Sequence, residues 1–166
     1  ELPIWIATGG TPESSLRAGA FGLPITYAII GGNPRRFARN IEIYKSIALS
    51  YGHDPSKLPI GVHSWGYVAE TDEQAKREFF PSLKAHQDII GKERGWPAFD
   101  ENAFEREIGS HGAIYLGSPE TVAQKIIDTI ETLGINRFMI HTPVGSMPHE
   151  YVMNSIRLFG ERVKPI

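Results

Sequence analysis

The feature that most constrains this chain is a regular alternation of short apolar runs with amphipathic segments at helical spacing. The apolar runs read as buried strands and cover residues 2–7, 23–30, 58–69 and 137–141. A polar capping residue followed by proline opens three of the helical segments, at Thr11, Asn33 and Ser118. Helical crossovers return the chain to the same end of a sheet, so this order predicts an α/β fold with a parallel sheet.

The predicted order is β-α-β-α-β, then an insertion at about residues 71–117, then α-β-α. The insertion begins with a long polar helix, and residues 99–112 are poorly periodic, with room for one short helix. There is no linker or low-complexity segment, so residues 1–166 are predicted to form a single domain. Two architectures fit this order equally well: a small open doubly wound sheet, or half of an eight-stranded barrel.

Composition removes several classes of function. The net charge is −2, without the basic excess that nucleic acid or an anionic membrane would require. No apolar run approaches the roughly 20 residues of a membrane span, and no signal peptide is visible. The chain has no cysteine, and its six histidines lack metal-ligand spacing, so no metal site is predicted. We therefore expect a cytoplasmic protein.

Segments along almost the whole chain resemble the bacterial-luciferase-like flavin-dependent monooxygenases. Residues 5–14 (WIATGGTPES) resemble that family's fifth strand and phosphate loop, and residues 18–24 (AGAFGLP) resemble its passage into strand six. The other matching segments, in family order, are residues 51–55 (YGHDP), 68–75 (VAETDEQA), 117–123 (GSPETVA), 148–150 (PHE) and 155–160 (SIRLFG). The resemblance implies the C-terminal half of a (β/α)8 TIM barrel, strands five to eight, with a helical insertion before the penultimate helix.

Residues 8–15 form a glycine-rich turn between a strand and a helix. Glycines let backbone N–H groups approach an anion, and the helix N-terminus adds unpaired N–H groups and a positive dipole end. Alternatively, Gly9 and Gly10 make only a tight turn, and Thr11 is only a cap. The family resemblance implies that Gly10, Thr11 and Ser14, with the neighbouring Gly9 and Ser15, hold the phosphate of FMN.

Three other positions are candidates for the walls of a site. The resemblance implies that Ile29 lies against the flavin ring, although it could equally be a core residue. In the third strand, alternation puts His63, Trp65 and Tyr67 on one face, as an aromatic wall or as packing beneath the insertion. His141 ends the last strand, where barrel enzymes place site residues.

The resemblance implies a monooxygenase that uses reduced FMN and oxygen on a small organic substrate, with a deazaflavin as a less favoured variant. A flavin reductase or an N-terminal half would be its partner. The chain starts within a strand, which suggests a fragment. In the family the general base comes from the first half of the barrel, so no catalytic residue is assigned and the chain alone is expected to be inactive.

Two other interpretations remain open: a non-catalytic FMN- or phosphate-binding α/β module, and an unrelated phosphoester-binding protein. A half barrel would also have unpaired sheet edges and an exposed inner face, which predict a homo-oligomer.

Overall fold

The computed structural model describes residues 2–165, which form a parallel sheet covered by helices. The strands are β1 (Ile6–Thr8), β2 (Ile25–Ala28), β3 (Ile60–Val68), β4 (Tyr115–Gly117) and β5 (Arg137–His141). The α-helices are α1 (Pro12–Phe21), α2 (Ala38–Ser50), α3 (Asp72–Arg94), α4 (Glu101–Ile108), α5 (Pro119–Leu133) and α6 (His149–Leu158). Short 3₁₀ turns occupy Pro34–Phe37 and Pro55–Lys57, and a π-helical turn, Phe159–Val163, follows α6.

The strand order distinguishes the two architectures. β1 pairs with β2 and β2 with β3, while β5 pairs with β3. Both β2 and β5 pair with residues 61–63, so they occupy opposite edges of β3. The four strands are therefore adjacent in chain order, without the reversal that defines a doubly wound sheet. This is an arc of a (β/α)8 barrel, as predicted from the family resemblance.

The sequence analysis missed one strand. β4 has three residues and extends the sheet at Gly66–Val68, beyond the residues of β3 that pair with β2 and β5. Its run of three apolar and small residues is too short to show a strand period, and the cap of α5 follows it at once. The other strands were predicted in the right places, although β1 and β2 are shorter than their apolar runs.

Helices α1, α2 and α5 cover one face of the arc, which we call the outer face. Ile25, Tyr27 and Val62 have no exposed surface there and pack with Ala18 and Tyr44 from the helices. Within residues 2–165, the opposite face, called the inner face, is covered by a helix only at the carboxyl end of β3, where α3 lies over Tyr67. Its hollow of about 430 Å³ is lined by Trp5, Ala7, Thr26, Ala28, His63, Arg137 and Met139.

One close helix contact and two helix N-caps show how the outer layer is built. Gly19 lets α1 approach α2 closely, because a Cβ there would lie 2.7 Å from the carbonyl oxygen of Tyr44. Ser118 caps α5 by accepting a hydrogen bond from Thr121 N at 3.2 Å. Thr11 occupies the N-cap of α1, but its hydroxyl makes no bond to the helix backbone.

The insertion, α3 and α4, is fastened to the barrel by two charged side chains. The Glu107 carboxylate accepts hydrogen bonds from Gly32 N at 3.1 Å and from Ala113 N at 3.2 Å. The Lys125 ammonium donates to the carbonyl oxygens of Ile108, Gly109 and Ile114 at 2.6–3.1 Å. Burial lowers the pKa of Lys125 to about 8.

Within residues 2–165, no helix combines the length and the apolar character that a bilayer crossing demands.

Candidate functional site

The glycine-rich loop after β1 is held by two hydrogen bonds and by the close approach of Phe37 to Gly10. Gly10 N donates to Thr8 Oγ1 at 3.1 Å, and Asn40 Nδ2 donates to the Gly10 carbonyl at 2.5 Å. Gly10 has a φ of +103°, and a Cβ there would lie 2.6 Å from the ring of Phe37. The loop therefore needs glycine at position 10, and its backbone is presented at the carboxyl end of the sheet.

Polar groups converge beside this backbone at the first turn of α1. The Thr11 hydroxyl donates to Ser14 Oγ at 2.8 Å, and Arg17 Nη2 lies 3.4 Å from the same oxygen. All three are at or near the surface. Hydroxyls, a guanidinium and a helix N-terminus are donors that suit a phosphate monoester. The exposed acid Glu13 in the same turn opposes an anion. Because Gly10 N is engaged by Thr8 Oγ1, the side-chain donors at this turn are the hydroxyls of Thr11 and Ser14 and the Arg17 guanidinium.

Ser15 differs from Ser14 in its surroundings. Its side chain is fully buried, and its hydroxyl shares a hydrogen bond of 2.8 Å with Tyr27 Oη. Tyr27 Oη also donates to the carbonyl oxygen of Asn40 at 3.1 Å. The Ser15 hydroxyl is thus committed to joining α1, β2 and α2, which leaves it turned away from the loop surface.

Ile29 lies in the main hydrophobic core with no exposed surface. The sequence left this side chain open as a flavin contact or as core, and its burial on the outer face favours the core. Gly9, in contrast, is exposed, with nothing within 4 Å of the position of a Cβ.

The structure brings together aromatic side chains that are distant in sequence. The His63 ring lies 5.4 Å from the His141 ring, and the Trp65 ring lies 4.5 Å from His141 and 5.7 Å from His86. Burial and the neighbouring His141 lower the pKa of His63. The pairing of β3 with β5 creates this contact, which no local sequence pattern indicates.

The three aromatic side chains predicted to share one face of β3 lie in two different environments. His63 and Trp65 face the inner side, whereas Tyr67 is buried beneath α3, stacks on Phe79 and donates to Glu78 Oε2 at 2.6 Å. Burial, followed by Glu78, raises the pKa of Tyr67. Packing beneath the insertion therefore describes Tyr67 and, in part, Trp65, which packs against the same cluster, but not His63.

A cleft of about 600 Å³ lies above the carboxyl ends of β2 and β3. One side is formed by the second half of α3 and the chain that follows it, including Trp96 and Phe99, and the other by Ile30, Trp65 and Ile114. This insertion cleft was not anticipated from the sequence, because its walls come from four separate segments. No group of three or more potential metal-ligating side chains occurs among the residues described.

The fold and the loop together define a parallel (β/α)-barrel protein with a glycine-rich loop at the carboxyl end of β1. Residues 1–137 match the family model of the luciferase-like monooxygenases. Because the match covers more than half of the chain, this protein belongs to the luciferase-like monooxygenase family. The resemblance seen in the sequence is thereby confirmed. A search of curated proteins found no match.

Solved structures of similar fold include monooxygenase RslO1 from Streptomyces bottropensis, at 23% identity and a TM-score of 0.74. The oxygenating constituent of 3,6-diketocamphane monooxygenase from Pseudomonas putida, in complex with FMN, is 20% identical, with a TM-score of 0.68. The coenzyme F420-dependent tetrahydromethanopterin reductase from Methanopyrus kandleri is 15% identical, with a TM-score of 0.64.

This chain is covered by 98%, 97% and 99% in these three comparisons, but it covers only 47%, 47% and 50% of those chains. It therefore spans about half the length of the structures it matches. At these identities the similarity establishes the fold.

Proposed function

We propose that this chain forms the flavin-phosphate half of a monooxygenase that uses reduced FMN and oxygen on a small organic substrate. The observation that carries the proposal is the glycine-rich loop, where a side-chain-free backbone meets the hydroxyls of Thr11 and Ser14 at the start of α1. The FMN complex of the Pseudomonas neighbour supports this choice of cofactor. The F420-dependent neighbour keeps a deazaflavin as the variant.

The bound flavin would supply the oxygen chemistry, while the protein binds, orients and excludes water. Thr11 and Ser14 would hold the phosphate beside the backbone of Gly10, with Gly9 leaving room for its approach. From that anchor the ring system would extend over the inner face toward His63 and His141. Ile29 and Ser15 would act behind this surface, in the packing that fixes the loop.

The chain alone is proposed to be inactive. Within residues 2–165, no titratable side chain beside the loop has the hydrogen-bond partner that would orient it as a general base. A whole barrel would supply additional strands against the inner face, and a flavin reductase would supply the reduced cofactor. Oxygen consumption by the isolated chain with reduced FMN and a substrate, above the rate of free flavin, would refute this part.

A fluorescence titration with FMN, beside one with riboflavin, tests the loop. We expect FMN to bind at least about tenfold more tightly, because only FMN offers the phosphate. Ser14→Ala should weaken FMN binding by about tenfold through the loss of a charge-assisted hydrogen bond.

The matched control is Ser15→Ala, which should lower stability by about 1 kcal/mol while leaving the FMN affinity of the folded protein unchanged. Equal affinity for FMN and riboflavin, or no binding of either, would contradict the proposal.

The proposal extends to self-association. β1 and β5 each present one unpaired edge in the described arc. On the inner face, Ala7 is exposed and Trp5 is half-exposed. We expect a second copy to cover this surface, because open edges and apolar faces favour pairing. Sedimentation equilibrium should give a mass above 18.4 kDa that falls on dilution. A single monomeric species at all concentrations would count against it.

A further inference from the structure

We propose that the insertion cleft binds a planar organic ligand that carries an anionic group, such as an aromatic carboxylate. As the assignment of a substrate class, this rests on the proposed function. As the assignment of a binding site, it stands on the cleft alone. At about 600 Å³ the cleft lies within the usual size of small-molecule sites.

Two tryptophans give the cleft flat walls. Trp65 projects from β3, on the inner-face side of the strand. Trp96 is placed by the end of α3, where Gly95 adopts a φ of +67° and Trp96 N donates back to Gly91 O at 2.8 Å. This reversal lays Trp96 beside the helix with 49% of its surface exposed. Two indoles that line the same cleft, one of them half-exposed, suit the stacking of an aromatic ring.

The charges at the rim favour an anion. Arg36 and Arg94 both border the cleft, and neither forms an ion pair with any residue in the range 2–165. Their guanidinium carbons lie 5.1 Å from the ring centres of Phe37 and Trp96, contacts that help to hold the two arginine side chains in place.

The one acid at the cleft is already engaged. Glu107 turns its carboxylate to the backbone N–H groups of Gly32 and Ala113. Two unpaired arginines thus face an acid whose charge is partly offset by backbone donors. Guanidinium groups bind carboxylates through paired hydrogen bonds, so the cleft selects a negatively charged ligand.

The cleft also adjoins the inner face. Trp65 lines the cleft, and its ring lies 4.5 Å from His141 at the carboxyl end of β5. A ligand stacked on Trp65 would therefore lie next to the surface where the flavin ring is proposed to extend.

Isothermal titration calorimetry with 2-naphthoate and its neutral analogue 2-naphthamide tests the inference without any flavin. We expect naphthoate to bind at least about tenfold more tightly, equivalent to about 1.4 kcal/mol. Arg36→Gln and Arg94→Gln should each reduce that preference, and the double variant should abolish it. Arg77→Gln, an exposed arginine of α3 outside the cleft, is the matched control and should leave the preference intact.

Equal binding of the two probes, or no binding of either, would overturn the inference. Naphthoate binding that survives the double substitution would also overturn it, because the ligand would then lie elsewhere. Because no flavin is present, these results are independent of FMN titration. Naphthoate selectivity without FMN binding would support the cleft as a binding site and refute the proposed function. FMN binding without naphthoate selectivity would support the proposed function and refute the inference about the cleft.

Discussion

The two faces of the sheet differ in how far this chain completes them. On the outer face Ile25, Tyr27 and Val62 are fully buried, each beneath helices that the chain itself supplies. On the inner face Trp5, His63 and Met139 keep part of their surface exposed around an open hollow. The same strands carry both sets of residues, so strand formation cannot account for the difference.

The difference lies in what packs against each face. Helices α1, α2 and α5 lie on one side, so the outer core closes with residues from this chain alone. A barrel closes its inner face only when the remaining strands complete the ring. The outer core of this chain is therefore completed by its own helices, whereas its inner face is left partly uncovered.

The largest effect should come from a matched pair of truncations, one on each face. Ile25→Ala on the outer face should lower the free energy of unfolding by about 3 kcal/mol, because it opens a cavity among fully buried neighbours. Met139→Ala on the half-buried inner face should lower it by less than about 1 kcal/mol. Urea unfolding followed by circular dichroism measures both values.

Equal losses from the two truncations would break the comparison, because they would mean that the inner face is as well packed as the outer one. A preparation that self-associates through the inner face would raise the cost of Met139→Ala. The measurement should therefore be repeated at several protein concentrations.

A smaller effect concerns protonation on the inner face. Burial and His141 hold the pKa of His63 below its ordinary value of 6.5. The unfolded chain then binds this proton more tightly than the folded one, so stability falls as the pH drops through about 6.5 and below. NMR titration of the imidazole should give a pKa under 6.5, and His141→Gln should raise it.

The control for this titration is His63→Gln, whose stability should fall less than that of the wild type over the same pH range. An imidazole of His63 that titrates above 6.5 would show that the inner face leaves it more solvated than the structure implies.

Much of the fold could be predicted from local signals. The boundaries of α1 and α5 follow from the prolines at their first positions and from Gly22 and Gly134 in left-handed conformations at their ends. β5 was predicted at its observed bounds. β4 was missed, because a three-residue strand has no period of its own and depends on β3 for its pairing.

The candidate site also combines features that the local sequence indicates with features that depend on tertiary contacts. The glycine-rich loop is local, and the sequence located it through Gly10 and Thr11. The difference between Ser14 and Ser15 depends on which side of α1 faces β2, where Tyr27 binds Ser15. The contact between His63 and His141 and the walls of the insertion cleft join segments that are far apart in sequence. No local pattern could reveal them.

The most direct test of the central claim is to follow the FMN titration by amide NMR on the isotopically labelled chain, with riboflavin as the comparison. The account predicts that FMN, and not riboflavin, shifts the amides of Gly9, Gly10, Thr11 and Ser14, while the buried amide of Ile29 moves little. Shifts that are the same for both flavins, or that fall outside the loop, would contradict the assignment of this loop as the flavin-phosphate site.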